Sequence, residues 1–322
     1  MSILAESFGV THVGKCRTKN EDAIFESADL AVWAVADGMG GHARGDLASG
    51  WITEALLGLS RSEASQGLCA RMLAVEESVG RVHERLLRFS ADHLSGAICG
   101  STCIALVASQ GMAVCLWSGD SRLYRVRDGV SERLTLDHVS VVTHADGRVS
   151  QYVSRAIGAG EMLLDATCLF FKPDDLYLLC SDGLYNELDD VTIASILTQK
   201  IADQAVGLAQ LGQSLLGCVM QTEARDNISF ILVKPVASFD SVEALIRVGQ
   251  TEQSLNQQFH QFRKVLRREN IYISQFRRPW LSLVDRFLSG ASPIMQTKVP
   301  LWLHEAWRRL IWRRLSRFSF RL

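Results

Sequence analysis

Several acidic residues in this 322-residue chain stand where apolar runs begin or stop. Asp37 closes the run Val32–Ala36, and Asp182 follows Leu176–Cys180; a glycine comes directly after each. Asp120 lies just past Ala113–Ser118, Asp226 precedes Asn227–Val233, and Glu21-Asp22 precede Ala23–Glu26, with Arg17 nearby. Short apolar runs of this kind read as buried strands. Strands packed into sheets can bring their ends to one edge, where gathered carboxylates repel one another unless cations bind. Oxygen-only ligands suit Mg²⁺ or Mn²⁺. An Asp shared by two such ions suits displacement at phosphorus. Gly38, Gly40 and Gly41 are read as giving the backbone positive φ and close approach to a ligand. Any one Asp-Gly is an ordinary turn signal; the recurrence at strand ends carries the chemical reading.

The elements that must position these residues follow from periodicity. Strand-like runs occur at Ser7–Val13, Ala23–Glu26, Leu30–Ala36, Thr102–Val107, Ala113–Ser118, Leu123–Arg127, Val130–Arg133, Leu176–Cys180 and Asn227–Val233. Leu47, Trp51, Ile52, Ala55, Leu56 and Leu59 keep a helical period, with Asp46 as the expected cap. Leu68, Met72, Val75, Val79, Val82, Leu86 and Phe89 mark a long helix. Two more helices fit Asp190–Gln199 and Asp203–Gln221. Strands come in hairpin-spaced groups and helices in pairs, which argues for an antiparallel α+β fold and against a doubly wound parallel one. Leu94–Gly119 carries no charge over 26 residues, long enough to span a bilayer. The turn signal Ser109-Gln110-Gly111 makes it a hairpin instead.

Composition, 48% hydrophobic and 21% charged, is that of a folded soluble protein. The net charge of −1 hides a split. Residues 237–322 hold 15 Lys and Arg against 6 Asp and Glu, a net of +9, which leaves −10 for residues 1–236. That pattern predicts an acidic body, 1–236, and a basic helical C-terminal extension, 237–322. Eight cysteines form no Cys-x-x-Cys pair and no cluster at zinc spacing. They read as reduced thiols of a cytosolic protein, with Cys103, Cys115 and Cys180 inside apolar runs. No signal peptide is expected at the N-terminus.

The motifs "GKCRTKNEDA", "VADGMGGHARGDLAS", "GSTC", "GDSRLY", "LTLDH", "SRAIG", "LLCSDGLYNEL" and "ARDNISFILV" together resemble, in order and spacing, the bacterial PPM-type (type 2C) metal-dependent Ser/Thr protein phosphatases. The resemblance covers roughly residues 5–235. It implies a four-layer α-β-β-α sandwich of two antiparallel sheets flanked by helix pairs, with metals in a cleft at one end. It implies that Asp37 bridges two ions, that the Gly38 carbonyl ligates one, and that Asp182 and Asp226 hold one. Glu21 would hold the other, partly through water, with Asp22 in support. Asp120 matches the position serving a third, weaker ion, and Arg17 would bind the substrate phosphate. The ions would be Mn²⁺ or Mg²⁺, and a water activated between them would attack phosphorus without a phosphoenzyme.

This sequence departs from the animal pattern at Met39, where a His would be the proposed general acid. His42 is either a substitute or a structural residue of the next helix. Only Val139–Val153 separates "LTLDH" from "SRAIG", a short flap for a bacterial member. The implied partners are a phosphoprotein substrate and an opposing Ser/Thr kinase, in some members within type VI secretion loci. The alternative is a phosphatase-like module that binds phosphoproteins without turnover. The Arg- and Trp-rich "WRRLIWRRLSRFSFRL" suits docking on the acidic body or on a partner protein, or on an anionic membrane surface, and nucleic-acid contact less well. A cytoplasmic enzyme, peripheral to the inner membrane, is the expected location.

Overall fold

The structure, a computed structural model, describes residues 5–39, 44–59, 67–144, 146–202, 207–236, 246, 249 and 251–268. His42, Gly40 and Gly41 lie outside these residues, as does the chain from 269 on. The elements in order are β1 (Ala5–His12), β2 (Asp22–Ser27), β3 (Val32–Asp37), α1 (Gly45–Leu57), α2 (Leu68–His93), β4 (Cys103–Ser109) and β5 (Met112–Ser118). Then come β6 (Arg122–Arg127), β7 (Val130–Arg133), β8 (Val139–Thr143), β9 (Val149–Val153), β10 (Asp165–Phe170) and β11 (Leu176–Cys180). The short α3 (Asp182–Tyr185), α4 (Asp190–Ala202), α5 (Leu208–Val219), β12 (Ile228–Pro235) and α6 (Glu252–Arg268) complete the described chain.

Two five-stranded sheets face each other. Sheet I has the order β1-β12-β11-β6-β7, and sheet II has β10-β5-β4-β3-β2. Every neighbouring pair is antiparallel. The strands read as unbroken apolar runs because both faces are buried. In β3, Trp33 and Val35 enter the layer between the sheets, while Val32, Ala34 and Ala36 face α1 and α2. In β11, Tyr177 and Leu179 point inward, and Leu176, Leu178 and Cys180 face α4 and α5. The result is the expected four-layer α+β sandwich. Its middle layer includes the stacked rings of Trp33, Phe171 and Tyr177. Among the described residues no helix is long and apolar enough to cross a membrane.

Three local readings differ from expectation. Asp46 does not cap α1. That helix starts at Gly45 behind Arg44, which adopts φ 64°, and Asp46 in its first turn pairs with Lys19 at 2.7 Å. The flap segment forms the hairpin β8–β9, and β10 adds an edge strand to sheet II by pairing with β5; neither is in the expected strand set. The charge boundary at 236 does not mark the end of packing, because α6 buries Leu255 and Phe259 against the body. All eight cysteines are free, and six of them are buried.

Candidate active site

The site is built at the seam between the sheets. Glu21 and Asp37 come from sheet II, at the start of β2 and the end of β3. Asp182 and Asp226 come from sheet I, after β11 and before β12. Asp120 lies on the crossover from β5 to β6, and Arg17 on the crossover from β1 to β2. All six line one pocket with Gly38, Met39, Thr102, Val153 and Asn227. Every residue expected from the sequence to hold metal or phosphate is therefore placed in this pocket.

Glycine follows Asp37 and Asp182 because of crowding. A Cβ on Gly38 would stand 2.3 Å from the Gly45 carbonyl oxygen and 2.5 Å from that of Glu21. A Cβ on Gly183 would stand 2.0 Å from the Asn227 carbonyl oxygen. Neither residue has the positive φ expected for Gly38; close backbone approach is what demands glycine. Gly119, before Asp120, does have φ 110° and lies against Thr102.

The carboxylates are packed against one another. Asp22 is opposite Asp37 in the β2–β3 register, and Asp37 reaches the side chains of both Asp22 and Asp182. Burial first, and then the charges of Asp22, Asp182, Asp120 and Asp226, push Asp37 well above the usual carboxylate range. Burial followed by Asp120, Asp226 and Asp22 raises Asp182 to about 7. Burial raises Asp22 to about 6, with Ser229 and Ser181 opposing. Burial also raises Asp120. Such mutual repulsion at an oxygen-only cluster is relieved by a hard cation. Among the described residues no three His, Cys, Asp or Glu side chains close on a single point as a ready-made cage. A divalent ion that keeps waters and takes one or two carboxylates plus a backbone carbonyl fits this donor set. Asp37, Asp182, Asp226, Glu21 and the Gly38 carbonyl are the groups that would hold it.

Arg17 binds Asp226 bidentately, Nε to Oδ1 at 2.9 Å and Nη2 to Oδ2 at 2.7 Å. Both side chains are more than a third exposed, so the pair contributes little to stability. The same guanidinium fork suits a phosphate. Arg17 stands beside the cluster and its partner is one of the expected metal ligands.

Three neighbours escaped the sequence reading. Thr102 Oγ1 accepts from the Asp37 amide at 3.0 Å, and the Thr102 amide donates to the Asp37 carbonyl at 2.8 Å. Asn227 Oδ1 accepts from the Glu21 amide at 2.8 Å while its Nδ2 donates to the carbonyls of Val13 and Lys19 at 3.0 Å. Val153 brings the flap root into the lining. The Asp120 turn is held by Tyr185, whose hydroxyl donates to the Asp120 carbonyl at 3.1 Å. Arg122 in turn stacks 3.5 Å from the Tyr185 ring centre.

Comparison with known proteins gives a consistent result. The family model for Protein phosphatase 2C matches residues 9–215. The serine/threonine protein phosphatase PstP of Mycobacterium tuberculosis is 30% identical over 238 residues, which are 70% of this chain and 44% of PstP. The serine/threonine phosphatase stp of Listeria monocytogenes is 29% identical over 242 residues, 70% of this chain and 93% of that protein. Among solved structures, PppA of Pseudomonas aeruginosa, described as a key regulatory component of T6SS, superposes with a TM-score of 0.63 at 35% identity, over 72% of this chain and 98% of PppA. The catalytic domain of PstP in complex with two manganese ions superposes at 0.61 and 27% identity, over 73% of this chain and 99% of that domain. This chain thus spans less than half the length of PstP. With eight sequence motifs, both sheets and the seam carboxylates in agreement, the chain belongs to the protein phosphatase 2C family.

Proposed function

We propose that this protein is a metal-dependent protein Ser/Thr phosphatase. The observation that carries the reading is the convergence of strand-end carboxylates from both sheets, with Arg17 beside them, on one pocket. Asp37, Asp182, Asp226, Glu21 and the Gly38 carbonyl would hold two ions, Mn²⁺ or Mg²⁺, and Asp120 would serve a third, weaker one. When bound, such ions polarise phosphoryl oxygens and lower the pKa of a water. Asp37 orients the cluster from the centre, fixed by Thr102 on both its backbone polar groups. Arg17 holds the phosphoryl oxygens in a fixed orientation, and Asn227 fixes the Glu21 end of the loop that carries Arg17. Addition of Mn²⁺ is expected to switch on phosphate release from phosphoserine and phosphothreonine peptides, and EDTA to abolish it. Turnover that survives EDTA would refute the assignment.

Arg17 and Asp37 should separate kinetically. Arg17→Ala removes a charge-assisted contact to substrate and leaves the carboxylates in place. KM should rise by about 10–100-fold, the value of one to three kcal/mol of lost phosphate contact, while kcat at saturation falls much less. A loss confined to kcat would place Arg17 outside substrate binding.

The substrate is read as a phosphoprotein and the opposing activity as a bacterial Ser/Thr kinase. The relation to PppA supports a secretion-linked setting, and a kinase gene beside this one would support it further. A cytoplasmic protein is proposed, with the basic chain beyond residue 268 bringing the enzyme to a partner protein or an anionic membrane surface. Vesicles containing phosphatidylserine would retain the full chain at low salt and release it at high salt in the second case.

A further inference from the structure

Arg125 and Arg127 lie two residues apart on β6, so they share the inner face that Leu123 lines. Both are held at the open side of the sandwich, where charge without a partner is costly. Glu132 on β7 takes one edge of Arg125, and Asp175 takes Arg127 at 2.6 and 2.7 Å. Arg127 Nη2 also donates to the Phe170 carbonyl at 2.9 Å, and the Nη1 groups of both arginines converge on one carboxylate from far along the chain. Glu252, the first residue of α6, accepts from Arg125 Nη1 at 2.7 and 2.8 Å and from Arg127 Nη1 at 3.0 Å. It also accepts from the Phe170 amide at the end of β10, at 2.9 Å.

One helical turn later the contact changes chemistry. β10 is the edge strand of sheet II, and an edge strand leaves backbone groups unpaired. Asn256 supplies what a further strand would supply. Its Oδ1 accepts from the Cys168 amide at 2.6 Å, and its Nδ2 donates to the Cys168 carbonyl at 2.8 Å. Leu255 and Phe259, each 1% exposed, fill the apolar layer beside α2. Arg263 ends the stripe on Glu76 of α2 and on the Leu164 carbonyl. Positions 252, 255, 256, 259 and 263 recur at helical spacing on one face. The helix is started by a reciprocal cap, in which Thr251 and Ser254 each accept the other's amide at 3.1 Å. The family model stops at residue 215, so this helix is an addition to the region it matches.

We propose that the body carries a helix-docking groove, formed by Arg125, Arg127, the β10 edge and Glu76, whose occupant is this chain's own segment 251–268. The segment acts as a clasp that seals the open side of the sandwich. The catalytic body then runs to Arg268, and the basic chain beyond is anchored to both sheets through α6. Burial opposes ionisation of Glu252, yet its two arginines hold it below the usual carboxylate range, as a docked anion should be.

The full chain tests this without any need for turnover. A protease recognition sequence is placed at residues 240–245, the chain is cut there, and the product is run on gel filtration at low micromolar concentration. The two pieces should co-elute. Loss of the C-terminal piece from the body, as a separate peak or as a precipitate, would overturn the proposal. In the uncut chain, Glu252→Gln removes the carboxylate that Arg125 and Arg127 share, leaves each with one acidic partner, and should lower Tm by about 6–12 °C. Asn256→Ala should also lower Tm, and Arg148→Gln, at an exposed pair, should leave it within about 1 °C. Equal Tm values for Glu252→Gln, Asn256→Ala and the parent chain would show that the groove does not hold the helix.

Discussion

Asp37→Asn should reduce turnover by about a thousandfold, roughly 4 kcal/mol of transition-state stabilisation, with the fold intact. The substitution keeps the shape of the side chain and removes its charge. It also turns an amide donor toward Asp22 and Asp182, the two carboxyls that Asp37 reaches. The backbone of residue 37 does the structural bonding, through the Thr102 hydroxyl and amide, and both bonds survive in the variant. Loss of one charge from a repelling cluster should leave Tm unchanged or higher. The measurement is kcat on a phosphothreonine peptide at saturating Mn²⁺, beside a thermal melt. Retention of more than a tenth of parental activity, a loss under about 1.4 kcal/mol, would remove Asp37 from the centre of the site.

Protein stripped with EDTA should lose stability as pH rises from 5 to 8, and added Mn²⁺ should restore it. Folding raises Asp22 to about 6 and Asp182 to about 7, and lifts Asp37 well above the ordinary carboxylate value of 3.8. Between those values the folded chain binds protons that the unfolded chain has released, so stability declines with rising pH. The stabilisation is fully present below the unfolded value of 3.8 and is lost as pH rises through the folded values. His83, held down by burial, works in the opposite sense but is one group against four, since Asp120 is raised as well. Asp46, Asp165 and Glu252 are shifted down and titrate below this window. For a coupled cluster the total is on the order of several kcal/mol, or about 10 °C in Tm. At pH 8, Mn²⁺ at a hundred times its Kd returns about 2.7 kcal/mol. A stripped protein whose Tm is flat or rising across this range would show that the carboxylates do not repel as described.

The candidate metal-binding set was legible because each of its members interrupts something. Asp37 and Asp182 end runs that are apolar throughout, and the runs are apolar throughout because each strand is covered on both faces. Thr102 and Asn227 interrupt nothing. They act through backbone groups of residues distant in sequence, so no local pattern separates them from ordinary turn residues. The clasp was hidden for a related reason. "EQSLNQQFHQF" carries Leu255 and Phe259 among polar residues, and its Glu and Asn gain meaning only against Arg125, Arg127 and the β10 edge. Asp46 misled because the helix entry is made by the left-handed backbone of Arg44, a feature that residue type does not announce.

The seam between the sheets has one more consequence. Asp37 rides on sheet II and Asp182 on sheet I, so the gap between them records how the two layers are aligned. A slip of one layer along the other by a single residue, about 3.3 Å, would take the two carboxylates out of each other's reach. Packing in the middle layer holds that alignment, with the rings of Trp33, Phe171 and Tyr177 stacked there. The gap between the candidate ligands therefore behaves like a calliper whose screw lies in the interior of the sandwich. Interior residues that touch no substrate set its tolerance, and the packing of the middle layer is in that sense part of the chemistry.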